Sequence, residues 1–257
     1  MDELLDVALE AARRGGEVLL EHFRRPASGV DTKSTPTDLV SDADRESEEL
    51  IRGLLSKRRP DDAFIGEEGS GVEGRTGIEW VVDPLDGTVN YLFGRRDWAV
   101  SIGVEDAGGG LAGVIHDPIG NETFTAVRGR GAALNDQPIW VSDCSELSRA
   151  LVGTGFSYDA DARRVQAESV GRMLPRVRDV RRAGSAALDL AALACGRLDG
   201  FYEAPMERWD RSAGVTLIRE AGGVVSELPG PLGLSTGVIA ANPALHPALE
   251  ALVLGDQ

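Results

Sequence analysis

The residues best suited to chemistry are acids placed at the ends of apolar runs. Trp80-Val81-Val82 passes directly into Asp83-Pro84-Leu85-Asp86-Gly87-Thr88, and Phe64-Ile65-Gly66 passes directly into Glu67-Glu68. Short apolar runs bounded by polar residues read as buried strands. Each would deliver a carboxylate at its end, and two such ends in one sheet can aim their acids at one crevice. Pro84 removes a backbone donor and fixes φ, so the chain is expected to leave the sheet there in a set direction. Asp83 and Asp86 can then face a common point. Gly87-Thr88 can open a helix whose free N–H groups cradle a phosphate. Hard oxygen ligands beside an anion cradle suit Mg²⁺, which takes a few carboxylates, waters and substrate phosphate. A single Asp-x-x-Asp is ordinarily a turn and an N-cap. Packing gives no reason to gather several acids, because like charges repel without a cation.

The elements that must hold these acids are legible in outline. Leu4, Leu5, Ala8, Ala11, Ala12, Leu19 and Phe23 follow helical spacing, which predicts an amphipathic helix over 2–24, stopped by Pro26 and Gly29. A second helix is predicted near 42–57. Ser41 and Asp44 have capping-box spacing at its start, and Leu50, Ile51, Leu54 and Leu55 form its buried face. Trp98 through Val104 and Leu111 through Ile115, around Gly108-Gly109-Gly110, read as a hairpin, with Glu122 to Val127 as a third antiparallel strand. Beyond residue 145 strands and helices alternate. Leu151-Val152-Gly153 is followed by a helix near 160–174 and a strand near 177–181. A small-residue helix from Gly184 to Cys195 and a strand from Leu198 to Tyr202 come next. A helix near 209–221, a strand at Val224-Val225 and a last helix starting near Pro243 complete the chain. This order predicts an α+β half over 1–144 and an α/β half over 145–257, joined in one compact unit.

Composition narrows the function classes. The chain has 257 residues, 42% hydrophobic and 27% charged, enough to bury a real core. A net charge of −15 opposes a nucleic-acid backbone as the main partner. No apolar stretch approaches the roughly 20 residues that span a bilayer, so no membrane partner is expected. The acidic start Met1-Asp2-Glu3 lacks the basic character of an export signal, which makes the expected location cytoplasmic. Cys144 and Cys195 lack metal-motif spacing and read as reduced core thiols. His22, His116 and His246 lack metal-binding spacing and read as surface or loop residues. Gly108-Gly109-Gly110 and Gly129-Arg130-Gly131 read as turns. Arg181-Arg182 is an exposed strand end or a contact to a second phosphate or a partner surface.

On these residues the sequence resembles the inositol monophosphatase family, within the lithium-sensitive, Mg²⁺-dependent sugar phosphatase superfamily that includes fructose-1,6-bisphosphatase. The likeness runs through Lys33-Ser34-x-Pro36-x-Asp38-Leu39-Val40-x-x-x-Asp44, then Phe64 to Glu68 and Trp80 to Asn90. It continues in Ala183-Gly184-Ser185-Ala186-Ala187, Gly200 to Glu203, and Trp209-Asp210-x-x-Ala213-Gly214 with Gly222-Gly223. The resemblance implies a layered α-β-α-β-α sandwich, usually dimeric. It implies two or three Mg²⁺ per site, with Mn²⁺ as an alternative. Glu67, Asp83 and the Leu85 carbonyl would bind the first ion, and Asp83, Asp86 and Asp210 the second. Glu67 would also help hold a third through water. Gly87 and Thr88 N–H groups would hold phosphate.

The same resemblance assigns the Thr88 hydroxyl, oriented by Asp38, and Glu67 to the attacking water. Glu203 would bind substrate hydroxyls, or alternatively cap its strand, and Ala186 would line the same pocket. Lys33 and Asp44 would stand near the outer metal. Ser212 and Phe93 depart from common family residues without removing a ligand. The implied activity is hydrolysis of a small phosphorylated polyol or sugar, first inositol 1-phosphate. Fructose 1,6-bisphosphate, histidinol phosphate, NADP and adenosine bisphosphates are alternatives, with Arg181, Arg182 or Arg208 able to meet a second phosphate. A non-catalytic metal- or phosphate-dependent interaction protein is the reading from another class.

Overall fold

The computed structural model describes residues 1–25, 27–33, 39–69 and 71–255. The first helix, α1 (Asp2–Phe23), buries Leu4, Val7, Ala8, Ala11, Ala12 and Leu19. A two-stranded ribbon, β1 (Asp31–Thr32) and β2 (Leu39–Val40), leads to α2 (Asp42–Arg58). The capping box expected at the start of α2 is present, with Ser41 and Asp44 exchanging hydrogen bonds. A seven-stranded sheet follows in chain order: β3 (Ala63–Gly66), β4 (Glu79–Asp86), β5 (Ala99–Asp106), β6 (Gly109–Asp117), β7 (Glu122–Val127), β8 (Gly131–Leu134) and β9 (Gln137–Ile139). Only β3 and β4 are parallel; every other neighbouring pair is antiparallel. A short helix, α3 (Thr88–Leu92), interrupts the step from β4 to β5.

The rest of the chain supplies β10 (Leu151–Thr154), α4 (Ala160–Met173), β11 (Asp179–Arg181), α5 (Ala186–Ala194) and β12 (Gly200–Glu203). Then come α6 (Arg208–Glu220), β13 (Val224–Leu228), β14 (Gly237–Ala241) and α7 (His246–Leu254). Its five strands lie in the order β11-β10-β12-β14-β13. This sheet is mixed: β10, β11 and β12 are parallel, whereas β14 runs antiparallel to both its neighbours. The apolar run Gly237-Val238-Ile239-Ala240-Ala241, all buried, is the strand of this sheet that sequence patterning did not pick out, as it did not pick out β1, β2, β8 and β9.

The layers follow from which faces are apolar. Helices α1 and α2 cover one face of the large sheet, burying Leu19, Ile51, Trp80 and Val82. Its other face meets α5 and α6, whose Leu190, Leu193 and Leu217 pack with Phe124 and Phe201 between the two sheets. Helices α4 and α7 close the far side, with Met173 and Leu249 packing among Val152 and Ile239. The result is the predicted α-β-α-β-α sandwich. Contact between α6 and the large sheet is close because two strand residues lack a side chain. A Cβ on Gly113 would stand 2.7 Å from the Ala213 carbonyl oxygen, and one on Gly103 would strike Ser212.

Several smaller expectations need correction. His116 lies half-buried in β6, under α1, and His246 is buried at the start of α7, so neither is a surface residue. Cys144 and Cys195 are free but only half-buried. Among the described residues no helix is long and apolar enough to cross a membrane.

Candidate metal and phosphate site

Strand pairing places the first acids. Gly66 of β3 is the register partner of Val82 of β4, so Glu67, just past the end of β3, and Asp83, still within β4, come next on neighbouring parallel strands. The chain does not quit the sheet at Pro84 as expected. β4 continues to Asp86, with Asp83 opposite Ser101 and Asp86 opposite Ala99 of β5. Three steps on one strand against two on the other is a bulge. In a regular strand, residues three apart point to opposite faces; the extra residue returns both aspartates to one side. Asp210 arrives from the first turn of α6, where it accepts the Glu207 N–H at 2.6 Å in a capping box. Carboxylate oxygens of Asp83, Asp86 and Asp210 all lie within 4.8 Å of one another.

These three acids sit in a cavity of about 620 Å³ that Lys33, Glu67, Leu85, Gly87, Thr88, Ala186 and Glu203 also line. Glu67 lies against Asp83, the nearest of the trio to it, while Lys33 Nζ donates to its Oε1 at 2.7 Å and also to Glu68. Glu68 is braced in turn by Glu48, whose Oε2 accepts its N–H at 2.7 Å. Asp86 is held by the Ser185 hydroxyl and by the Ala187 N–H at 2.9 Å. The Asp83 Oδ1 accepts the Leu85 N–H at 3.0 Å. Gly87 has φ +93°, and a Cβ there would lie 2.8 Å from the Asp97 carbonyl oxygen, so only glycine fits this link into α3.

Thr88 gives the clearest surprise. Its hydroxyl lies 3.0 Å from Asp44 Oδ1 and 3.1 Å from the Leu85 carbonyl oxygen, and its one hydrogen can serve either acceptor. Asp38, expected to orient Thr88, lies outside the described residues. Asp44, expected near an outer metal, is therefore the carboxylate found against Thr88.

Electrostatics bear on whether a cation fits. Burial drives Asp83 well above the usual carboxylate range, and repulsion from Glu67, Asp86 and Asp210 adds to it. Asp210 rises for the same two reasons. Burial lifts Asp86 to about 6 against the hydrogen bonds of Ser185 and Ala187. Burial also raises Glu67, although Lys33 opposes it. Burial and then the Asp86 charge push Glu203 up to about 8. Clustered hard oxygens that resist ionising together are a donor set that fits Mg²⁺, and bound charge would relieve their repulsion.

The remaining polar candidates sort by their partners. Arg208 is tied to Glu79 and, at 2.7 Å, to Glu105, and Arg181 pairs with Asp179 at 2.6 Å. Of the three arginines only Arg182 lines the cavity. Ser212 donates to Glu105 at 2.6 Å, which gives its departure from the common residue a use. Asp189 of α5 also lines the cavity and was not foreseen. One signal was available, since it is the lone charge in an otherwise apolar helix.

A layered sandwich that gathers acids from two strand ends and one helix start around a single crevice defines a class of protein. Residues 1–256 match the Inositol monophosphatase family, and the chain belongs to that family. It is 43% identical over 234 residues to the inositol-1-monophosphatase of Mycobacterium leprae, covering 86% of this chain and 80% of that one. It is 42% identical over 227 residues to the Nus factor SuhB of Xylella fastidiosa, covering 88% and 82%. The crystal structure of extragenic suppressor protein suhB from Bartonella henselae superposes with a TM-score of 0.92 at 36% identity, over 99% of both chains.

Proposed function

We propose that this protein is a Mg²⁺-dependent phosphomonoesterase acting on a small polyol phosphate, with inositol 1-phosphate first among candidates. The observation that carries the reading is the convergence of Asp83, Asp86 and Asp210 within 4.8 Å at a cavity large enough for a sugar phosphate. Among the described residues eight acids and two bases line that cavity, so a phosphate dianion needs added cations to enter it. Asp83, Asp86, Asp210, Glu67 and the Leu85 carbonyl would hold the ions. Bound there, Mg²⁺ supplies charge neutralisation for the phosphoryl group and acidifies the attacking water.

The chain's own groups do the rest. The first-turn N–H groups at Gly87 and Thr88 receive phosphate oxygens. Thr88, with its hydroxyl turned toward Asp44, takes a proton from the water and passes its own to that carboxylate; Glu67 orients the water from the other side. The ester P–O bond breaks as the water oxygen bonds phosphorus; Glu203 and Ala186 receive the leaving group, whose oxygen takes a proton from solvent, and the proton held by Asp44 returns to solvent through Thr88. Phosphate-ester hydrolysis is so slow unaided that accelerations approach ~10²¹, which makes positioning and charge neutralisation the main requirements. No serine, cysteine or histidine nucleophile is needed.

The test is phosphate release with Mg²⁺ from wild type, Asp210→Asn and Glu67→Gln. Both variants should lose at least ~10²-fold in kcat, and near-normal turnover in both would end the proposal. Millimolar Li⁺ should inhibit the wild type. A second reading, a partner-binding factor, is supported by the name of the Xylella fastidiosa relative. Retention of the acids argues for hydrolysis beside any such role. The family resemblance also supports a homodimer, for which light scattering should give about twice 27.3 kDa.

A further inference from the structure

Asp189 is a charge that neither the metal trio nor the fold accounts for. Helix α5 reads Ala-Ala-Leu-Asp-Leu-Ala-Ala-Leu-Ala, and Asp189 is its single ionisable residue. It is only 6% exposed, yet it lines the cavity that holds the aspartate trio. Among the described residues no cation pairs with it, and burial lifts its carboxyl to about 7 although the Arg182 charge and the Ala183 backbone oppose the rise. Capping does not require it, because the Ser185 hydroxyl already accepts the Leu188 N–H at 3.2 Å. A buried carboxylate with so little compensation costs stability, so an alanine or leucine would suit the helix better.

Two acids meet at the end of β10, where Gly153 and Gly155 flank Thr154. A Cβ on Gly155 would fall onto the Glu203 carboxylate, so glycine is needed there, and the Asp189 carboxyl carbon lies at contact distance from Gly153, 3.7 Å from where its Cβ would stand. Arg182 completes the wall. Its guanidinium passes over Gly184 and lines the cavity, and no acid pairs with it among the described residues. Lys33, the other cation of the lining, is already committed to Glu67 and Glu68.

We propose that Asp189 is a specificity-determining residue which, with Glu203 and Arg182, reads adjacent hydroxyls on the leaving group, selecting monophosphates of neutral polyols. This rests on the phosphatase reading above. The two carboxylates accept hydroxyl hydrogens and the guanidinium donates to hydroxyl oxygens, which matches a polyol face. A hydroxyl-free leaving group forfeits those bonds, and a second phosphate meets two acids against one cation.

The experiment compares kcat/KM for inositol 1-phosphate and for 4-nitrophenyl phosphate, whose leaving group carries no neighbouring hydroxyls, at saturating Mg²⁺. In Asp189→Asn the ratio of the two should fall about tenfold or more, mainly through KM, as expected for a lost hydrogen bond to a charged group. The more exposed Arg182→Gln should lower the ratio in the same direction. A ratio within about twofold of wild type in both variants overturns the proposal, as does an equal loss on both esters with a lowered melting temperature. If wild type cleaves the nitrophenyl ester but no polyol phosphate, the phosphatase stands and this inference falls. If it cleaves neither, both fall.

Discussion

Asp44 grips the hydroxyl of Thr88 with one carboxylate oxygen and the start of α2 with the other. Its Oδ1 lies 3.0 Å from the Thr88 hydroxyl, while its Oδ2 accepts the Ser41 N–H at 2.9 Å and the Ser41 hydroxyl at 2.6 Å. One buried acid thus fixes a helix N-terminus and the threonine at the cavity floor. Thr88→Val removes the hydroxyl but keeps most of the shape, and kcat is expected to fall ~10²–10⁴-fold. Asp44→Asn should lower both kcat and the melting temperature, because it weakens the cap as well. Near-normal kcat in Thr88→Val would reduce Thr88 to the opening residue of α3.

Metal and pH should act together on stability. Asp83 and Asp210 hold their protons in the folded, ion-free chain at pH values where the unfolded chain has lost them, and Asp86 does so up to about 6. The folded state then binds more protons than the unfolded one. Stability from this source is present below the ordinary carboxylate range, near pH 4, and is lost as pH rises through the folded values. A bound cation offsets that loss and competes with protons for the same oxygens. Mg²⁺ should therefore raise the melting temperature several degrees more at about pH 8 than at about pH 5. Equal shifts at both values, read by calorimetry, would count against metal binding by these acids.

His116 should impose the opposite slope at mildly acid pH. Burial beneath α1 pushes its imidazole down to about 4, and the Arg13 charge adds to the effect. Between that value and the ordinary 6.5 the unfolded chain takes up a proton that the folded chain refuses. The stabilisation is complete above about 6.5 and is lost as pH falls toward 4, by on the order of 3 kcal/mol. His116→Asn, which keeps a partner for Thr123 3.0 Å away, should flatten that part of the profile in urea melts. An unchanged profile would show that another group carries it.

The seat of α6 should couple packing to activity. Gly113→Ala would press a methyl onto the Ala213 backbone, with the carbonyl oxygen only 2.7 Å from the new carbon. Overpacking of this kind costs roughly 1–3 kcal/mol. Because α6 carries Asp210 in its first turn, metal-dependent turnover should drop by more than the stability loss alone explains. Urea denaturation and phosphate release on the same preparation would separate the two. A stability change without any change in turnover would show that Asp210 is positioned independently of this contact.

Much of this molecule can be read from local chemistry. Amphipathic spacing marked α1 and α2, and the Ser41–Asp44 spacing marked a cap that is present. Apolar runs ending in acids marked β3, β4 and the carboxylates that follow them. What local pattern missed depends on neighbours. Ala- and Gly-rich β14 lacks the alternation that identifies a half-buried strand, since it is buried on every side. Asp189 looked like one more helical residue until α5 was set against β10.

The acid run from Asp83 to Thr88 shows where the division falls. Sequence determined that carboxylates, a glycine and a threonine would follow a buried strand, because residue type and hydrophobic periodicity are properties of the chain alone. Only tertiary structure decided that a bulge opposite β5 would turn Asp83 and Asp86 the same way. It also decided that Asp210, more than a hundred residues on, would join them within 4.8 Å, and that Asp44 would stand against Thr88. Those outcomes depend on register and on how closely α6 and α2 approach the sheet. Both are set by packing between segments distant in the chain, which no local pattern encodes.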